Sequence, residues 1–196
     1  MSELVADPKV AAVLERLYRE DEEQRRAGLP SSARTRNVTV ETGRFLYLTA
    51  RATGARFVLE IGSSNGVSTI WLALAMRSTG GRVTGTEILP GRVEEANAHL
   101  AEAGLADFGT VVLGDARETA RAMGEPLDLV FIDAEKDDYV EHFAAAFPRL
   151  RSGGLVLADN VASHDLSVYQ AMLRARDDVE SVTLPLERGI EYSCKR

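Results

Sequence analysis

Cysteine, histidine and long apolar runs are scarce in this chain, and each shortage excludes something. Cys194 is the one cysteine in 196 residues, so no internal disulfide framework exists. Three histidines, none with Cys or His neighbours at zinc-ligand spacing, exclude a metal site built on nitrogen and sulfur. There is no run of 18 apolar residues and no basic-then-apolar leader, so no membrane contact is expected and the cytoplasm is the expected location. Bases are outnumbered, 23 Lys and Arg against 30 Asp and Glu, and the net charge of -7 argues against a general polyanion binder. One stretch runs the other way. Arg25 to Arg51 holds six arginines (25, 26, 34, 36, 44 and 51) against one acid, Glu41, and forms a candidate basic lip.

What is present reads as one α/β domain. The length, 45% hydrophobic and 27% charged residues are ordinary for a single globule with a sizeable core. No repeat or composition break divides residues 1–196, so a helical segment 1–54 is expected to precede a core at 55–196. Asp7-Pro8 caps a first helix that runs to Arg26, and its Leu14, Leu17 and Tyr18 stripe suits a dimer face or a lid. Gly28 to Ser32 breaks it. A second helix is expected from near Thr39 to Arg51, with Phe45 and Leu48 on its buried side.

A strand-helix rhythm then sets in. Strands are predicted at 56–61, 82–87, 109–113, 127–132 and 154–158, and helices at 67–77, 90–103, 116–123 and 138–150. A helix near 165–176 and two strands, 180–186 and 190–195, joined by a tight turn at Arg188-Gly189, complete the chain. This is the pattern of a Rossmann-like, doubly wound sheet. Trp71, in an apolar helical stripe, reads as core, and His99 and His142, on amphipathic helices, read as structural.

Asp133-Ala134-Glu135-Lys136 and Asp159-Asn160 each follow a strongly apolar run, LDLVFI and GLVLA. Both therefore sit at strand exits, where ligands of open parallel sheets gather. Asp133, Asp159 and Asn160 offer oxygen donors alone, which suits a hard cation such as Mg2+ or Ca2+. Lys136 lies about one helical turn past Asp133, and a nearby dication with partial burial favours its neutral amine, making it a candidate general base. A salt bridge to Glu135 or Asp137 is the plainer reading.

The first strand-to-helix turn, Glu60-Ile61-Gly62-Ser63-Ser64-Asn65-Gly66, carries glycines that admit a ligand close to the backbone at a helix N-terminus. Its Gly-x-x-x-Gly spacing departs from the Gly-x-Gly-x-x-Gly of pyrophosphate binders. Glu87, closing the second strand, can accept from both hydroxyls of a ribose, so a nucleoside without diphosphate fits. Asp115 or the Ala116 amide can meet an adenine edge, and Asp115 equally suits a helix N-cap.

These motifs, "FVLEIGSSNGVSTIWLALA", "VTGTEILPGRVEEANAHLAEAGL", "GDA", "DLVFIDAEKDDY" and "LRSGGLVLADNV", in this order, resemble the metal-dependent S-adenosylmethionine O-methyltransferases of the catechol and caffeoyl-CoA type. The resemblance spans about Asn37 to Arg196 and suggests a short member of bacterial type. It implies a seven-stranded sheet, five strands parallel, ending in an antiparallel hairpin. It implies metal ligands at Asp133, Asp159 and Asn160, Lys136 as base, and Mg2+ or another divalent ion such as Ca2+ or Mn2+. Cofactor contacts are implied at Glu87 for ribose, at Gly62, Ser68 and Val38 for the methionine part, and at Asp115 and Ala116 for adenine. Glu60, Ser63, Ser64, Gly66 and Asn37 belong to the same surround, with Asp133 shared between metal and cofactor. Ser68 as a helix-turn hydroxyl and Val38 as plain packing are the alternatives.

The implied reaction is methylation of a small catechol or phenolic hydroxyl by a homodimer, with neither membrane nor nucleic acid as partner. Two further readings stand beside it. The arginine segment motivates an RNA hydroxynucleoside or a CoA-linked acceptor, and a nicotinamide-dependent oxidoreductase is disfavoured by the glycine spacing. Three departures from the family leave the acceptor open. Val161 to His164 leads directly into the next helix, the last turn reads Leu186-Glu187-Arg188-Gly189 where many relatives have Gly-Asp-Gly, and no acid matches the one that clamps a second catechol hydroxyl in animal enzymes. His164 reads as a cap or surface residue rather than an acceptor contact.

Overall fold

In a computed structural model, residues 5–196 are described; the first four residues of the 1–54 segment lie outside them. Helix α1, Pro8–Arg26, starts where Asp7 accepts from the Lys9 and Val10 amides, with Pro8 at its first turn. Val10, Val13, Leu14 and Leu17 are buried in the chain's own core. The Leu14 and Leu17 stripe is therefore consumed by intramolecular packing and offers neither dimer face nor lid surface. Tyr18 accepts from the Trp71 indole at 3.0 Å, and Trp71 is fully buried, as its apolar stripe requires.

Helix α2, Val40–Ala52, is capped by Thr39 and buries Thr42, Gly43, Leu46 and Ala50. The expectation for Leu48 fails: it is 59% exposed. A Cβ at Gly43 would lie 2.2 Å from the Trp71 indole nitrogen, so the backbone there packs directly on the ring and sets the helix rotation. Leu48, about 200° round the axis from Leu46, is turned out to solvent. Phe45 is half-buried against Tyr192, edge to face at 6.3 Å.

The core alternates β1 (Phe57–Ile61), α3 (Val67–Thr79), β2 (Arg82–Glu87), α4 (Pro90–Glu102), β3 (Gly109–Leu113), α5 (Ala116–Ala122), β4 (Leu127–Ile132), α6 (Tyr139–Ala146) and β5 (Leu150–Asp159). Helix α7 (Ser167–Arg174) and strands β6 (Val179–Leu184) and β7 (Ile190–Lys195) follow. The seven strands lie in the order β3-β2-β1-β4-β5-β7-β6. β1 to β5 are parallel, and β7 runs antiparallel to both β5 and β6. Alternate residues feed two cores. Val58, Leu129 and Phe131 meet helices α1 to α4, while Leu59, Ile61, Val130 and Ile132 meet α5 to α7. Covering on both faces explains why the central strands read as continuous apolar runs.

Two predicted spans come out differently. The helix predicted over 138–150 divides into a 3-10 turn at Lys136–Asp138, α6, and a second 3-10 turn at Phe147–Arg149, because Pro148 has no amide to continue the ladder. The last hairpin turns over residues 185–189 rather than tightly at Arg188-Gly189: Leu184 pairs with Ile190, and Pro185 ends the strand. Among the described residues no helix is long and apolar enough to cross a membrane.

Candidate active site

Sheet order reverses between β1 and β4, so the exits of these two strands open one crevice. The Asp133 amide donates to the Ile61 carbonyl at 2.9 Å, tying the exits together. Gly62 has φ +90°, and a Cβ there would lie 2.3 Å from the Asp133 carbonyl oxygen, which is the physical reason for glycine at this position.

On the β1 side, Glu60 is fully buried and accepts from Ser63 Oγ at 2.7 Å and from Thr69 Oγ1. Burial pushes its carboxyl above the usual range, against the pull of the Ser68, Thr69 and Ser63 hydroxyls. Its second oxygen has no partner among the described residues. Ser63 is thereby committed to holding Glu60, and Ser64 Oγ donates to the Thr35 carbonyl at 2.8 Å. Gly66 (φ +89°) opens α3, with Ser68 buried in its first turn. Glu87 faces this turn: its Oε2 accepts from the Ser64 amide at 3.0 Å, and its Oε1 from the Ile88 and Leu89 amides at 2.7 and 3.0 Å. Oε1 is filled by its two amide donors, and Oε2, with one, keeps a lone pair for a ribose hydroxyl.

The Gly114 amide donates to the Glu87 carbonyl at 3.0 Å, which brings Asp115 and Ala116 beside Glu87. Asp115 caps α5 and is gripped by the Arg117 guanidinium, at 2.7 Å for the shortest bond, which holds its carboxyl down at about 2. The cap is thus formed, leaving the Ala116 backbone as the freer group for a base edge. Ile88, 70% exposed, and Leu89, 55% exposed, stand next to Glu87 as an apolar face that the sequence reading missed. A pair of bulky apolar residues directly after a strand-end acid was the available signal.

On the β4 and β5 side, Asp133 Oδ1 accepts from Lys136 Nζ and from Asn160 Nδ2, both at 3.0 Å. Lys136 Nζ also donates to the Ala134 carbonyl at 2.9 Å and to Tyr139 Oη at 3.0 Å. Its salt bridge is therefore to Asp133, not to Glu135 or Asp137. Tyr139 was not foreseen. It is fully buried, which holds its hydroxyl protonated, and that hydroxyl lies 3.1 Å from the Asp159 carbonyl it can donate to. Three residues past Lys136 on a helical turn was the signal that could have found it.

Asp159 and Asn160 are 5% and 4% exposed. Burial, and then the neighbouring Asp133 charge, push the Asp159 carboxyl up to about 7, against the Asn160 amide, Lys136 and Arg188. Among the described residues no group of three or more His, Cys, Asp or Glu forms a metal cluster. The set here is two carboxylates and one amide, and the crowding of the two acids is what a cation between them would relieve, so these residues fit a hard divalent ion.

Asp133 and Asp159 line one small cavity with Asn37, Val38, Arg36 and Arg188, closed to about 10 Å3, the room of one water. Asn37 is buried, donates to the Leu17 carbonyl at 3.1 Å, and its Oδ1 has no partner among the described residues. Two roomier hollows lie elsewhere: 550 Å3 beside Arg117 and Arg149, and 360 Å3 beside Tyr47 and Trp71. Neither touches the strand-exit residues. The basic lip does not form as one patch, because Arg25 pairs with Asp21, Arg26 with Glu22, Arg51 with the Tyr47 hydroxyl, and Arg36 with Glu135. His164 is exposed beside Ser163, His99 bonds the Asn65 carbonyl at 2.9 Å, and His142 is buried in α6, so all three are structural or surface residues.

The family model described as a methyltransferase domain matches residues 59–161, more than half of the chain. The chain belongs to the methyltransferase-domain family. It is 35% identical over 184 residues to a catechol O-methyltransferase of Niastella koreensis, covering 85% of this chain and 81% of that protein. It is 45% identical over 127 residues to a catechol O-methyltransferase of Mycobacterium tuberculosis, 63% of this chain, and spans 56% of that relative's length. Among solved structures it is similar to the O-methyltransferase of Bacillus cereus in complex with SAH, at TM-score 0.80 and 27% identity over 94% of this chain and 91% of that one. It is also similar to the O-methyltransferase TomG of Streptomyces achromogenes, involved in tomaymycin synthesis and in complex with SAM, at TM-score 0.76 and 31% identity over 92% and 89% of the two chains. The family resemblance and the seven-stranded fold are borne out, and the oxidoreductase reading is set aside.

Proposed function

We propose that this protein is an S-adenosylmethionine-dependent O-methyltransferase, assisted by a divalent cation, that methylates a hydroxyl of a small catechol or phenol. One observation carries the reading: the Gly62–Gly66 turn with Glu87 and the Asp133, Lys136, Asp159 and Asn160 set meet across a single hydrogen bond, Asp133 N to Ile61 O, at 2.9 Å. A nucleoside cradle and an oxygen-activating cluster stand side by side. Relatives that bind SAM or SAH and act on catechols support it.

In this reading Glu87 accepts from the ribose hydroxyls, Ala116 and Ile88 flank the base, and Gly62, Ser68 and Val38 border the methionine part. Ser63 and Ser64 hold Glu60 and the turn in place. Asp133, Asp159 and Asn160 would hold the cation. When bound, the sulfonium supplies the methyl group and the cation supplies positive charge that favours an ionised acceptor hydroxyl. In its neutral form Lys136 Nζ would take the hydroxyl proton, and the acceptor oxygen would bond to the methyl carbon as the carbon-sulfur bond broke, leaving a neutral thioether. Holding the two reactants at one crevice contributes a proximity term that reaches roughly 7 to 11 kcal/mol in well-oriented systems. A cytoplasmic homodimer completes the proposal, checked by sedimentation of the purified chain.

The test is methyl transfer from labelled S-adenosylmethionine to a panel of catechols, monophenols, CoA esters and bulk tRNA with Mg2+. Catechol labelling that falls at least about 100-fold on chelation or in Asp159→Ala is expected, while calorimetric cofactor binding stays within about threefold. Full activity in metal-stripped protein would refute the cation's part, and labelling of tRNA alone the small-molecule acceptor.

A further inference from the structure

In the Gly62–Gly66 turn, the Asn65 carbonyl is served neither by the sheet nor by its own helix. Gly62 N and Ser63 N are anchored on the Thr86 carbonyl at 3.1 and 3.0 Å, and Gly66 N on the Ser63 carbonyl at 2.8 Å. The α3 ladder opens with Ile70 N on the Gly66 carbonyl at 2.8 Å, one residue too late to take the Asn65 carbonyl. Asn65 is buried, where an unpaired carbonyl is costly. A side chain from another element fills the gap: His99 Nδ1, on α4, lies 2.9 Å from the Asn65 carbonyl oxygen. A carbonyl oxygen can only accept, so Nδ1 carries the proton and donates.

Helix α4 meets the turn at a second point. A Cβ at Gly66 would lie 3.0 Å from Ala96 Cβ, and Ala96 is three residues before His99 on the same face of α4. That packing sets how close the helix comes, whereas a directional bond fixes the orientation of the peptide it holds. Ser64, next to Asn65, presents its amide to Glu87 Oε2 at 3.0 Å, the oxygen left for a ribose hydroxyl. A turn released at Asn65 therefore shifts the cradle of the nucleoside. Among the described residues His99 makes no bond to Asp133, Lys136, Asp159 or Asn160, so its influence falls on cofactor binding rather than on the reacting hydroxyl. Asn97 ties the same helix elsewhere: its side chain exchanges bonds of 2.8 and 3.0 Å with Val111 of the edge strand β3.

We propose that His99 is a positioning residue for S-adenosylmethionine, fixing the cradle turn through the Asn65 carbonyl and thereby setting cofactor affinity. This rests on the O-methyltransferase reading above. The full chain is titrated with S-adenosylmethionine in a calorimeter, and turnover of a catechol is followed with Mg2+. His99→Leu is expected to raise the cofactor Kd and KM about three- to tenfold, the scale of one hydrogen bond, with kcat at saturating cofactor within about twofold of native. An asparagine amide nitrogen stands where Nδ1 stood, and a glutamine one where Nε2 stood. His99→Asn therefore restores Kd to within about twofold, while His99→Gln behaves as His99→Leu and replaces it should the leucine protein not fold. Asn97→Ala lowers the melting point and leaves Kd within about twofold, which separates the turn's bond from general support of α4. An unchanged Kd in His99→Leu and His99→Gln, an equal rise in Asn97→Ala, or no rescue by His99→Asn overturns the proposal while leaving the O-methyltransferase reading standing. A native protein that binds no S-adenosylmethionine overturns both.

Discussion

Lys136 shows how much of the chemistry depends on a single side chain's neighbours. Its Nζ is held by Asp133, the Ala134 carbonyl and Tyr139 within 3.0 Å, a geometry that points the amine rather than leaving it to wander on an exposed turn. Lys136→Ala is expected to lower kcat, with a defect that shrinks as pH rises toward the acceptor's own pKa and solvent base takes over; a pH-independent defect would make the lysine structural. Tyr139→Phe, which deletes one of the three bonds, should cost roughly tenfold in kcat with cofactor affinity unmoved, consistent with a hydrogen bond of about 1 to 1.5 kcal/mol. The acids and the lysine were legible because their residue types carry chemistry. Tyr139 was not, because a tyrosine in a helix start reads as core until its hydroxyl is seen to reach the lysine.

At the scale of elements, rotation and docking matter more than extent. Periodicity located α2 to within a residue yet misjudged its buried side, since Gly43 lets the backbone rest on Trp71 and no hydropathy scale records that contact. Gly43→Ala tests it. Alanine gains about 1 kcal/mol of helix propensity, but overpacking of the ring costs about 1 to 3 kcal/mol, so net destabilisation and a melting point lower by roughly 2 to 4 °C are expected. A raised melting point would mean the ring yields freely. Helix α6 carries a pH-sensitive element of stability. Burial lowers the His142 pKa, and its Nδ1 lacks a partner among the described residues. The fold therefore favours neutral imidazole. The unfolded chain takes up the proton first as pH falls through about 6.5, so stability from this site is complete above that pH and declines below it. His142→Gln should show a flatter loss between about pH 7 and pH 5 in denaturant titrations, and identical slopes in both proteins would exclude the assignment.

For the whole molecule, topology makes the site. β1 and β4 are separated by two further strands and three helices in the chain, yet they are neighbours in the sheet, and Gly62 touches Asp133 only because of that pairing. Gly62→Ala puts a side chain against a backbone oxygen that cannot move aside, at a φ disfavoured for alanine. Joint loss of cofactor affinity and turnover, with melting lowered by roughly 5 °C or more, is expected; an unchanged dissociation constant for S-adenosylmethionine would show that the exits move independently. The sequence by itself determined the strand-helix rhythm, the glycine turn, Glu87, and the oxygen donors at strand exits, because these are written in residue type and in short-range periods of 2 and about 3.6. Only the tertiary structure decided which exits lie together, which face of α2 is buried, that Leu14 and Leu17 are spent on the chain's own core, and that Arg188 stands on the cavity wall. Those depend on packing between segments far apart in the chain, which no local pattern encodes.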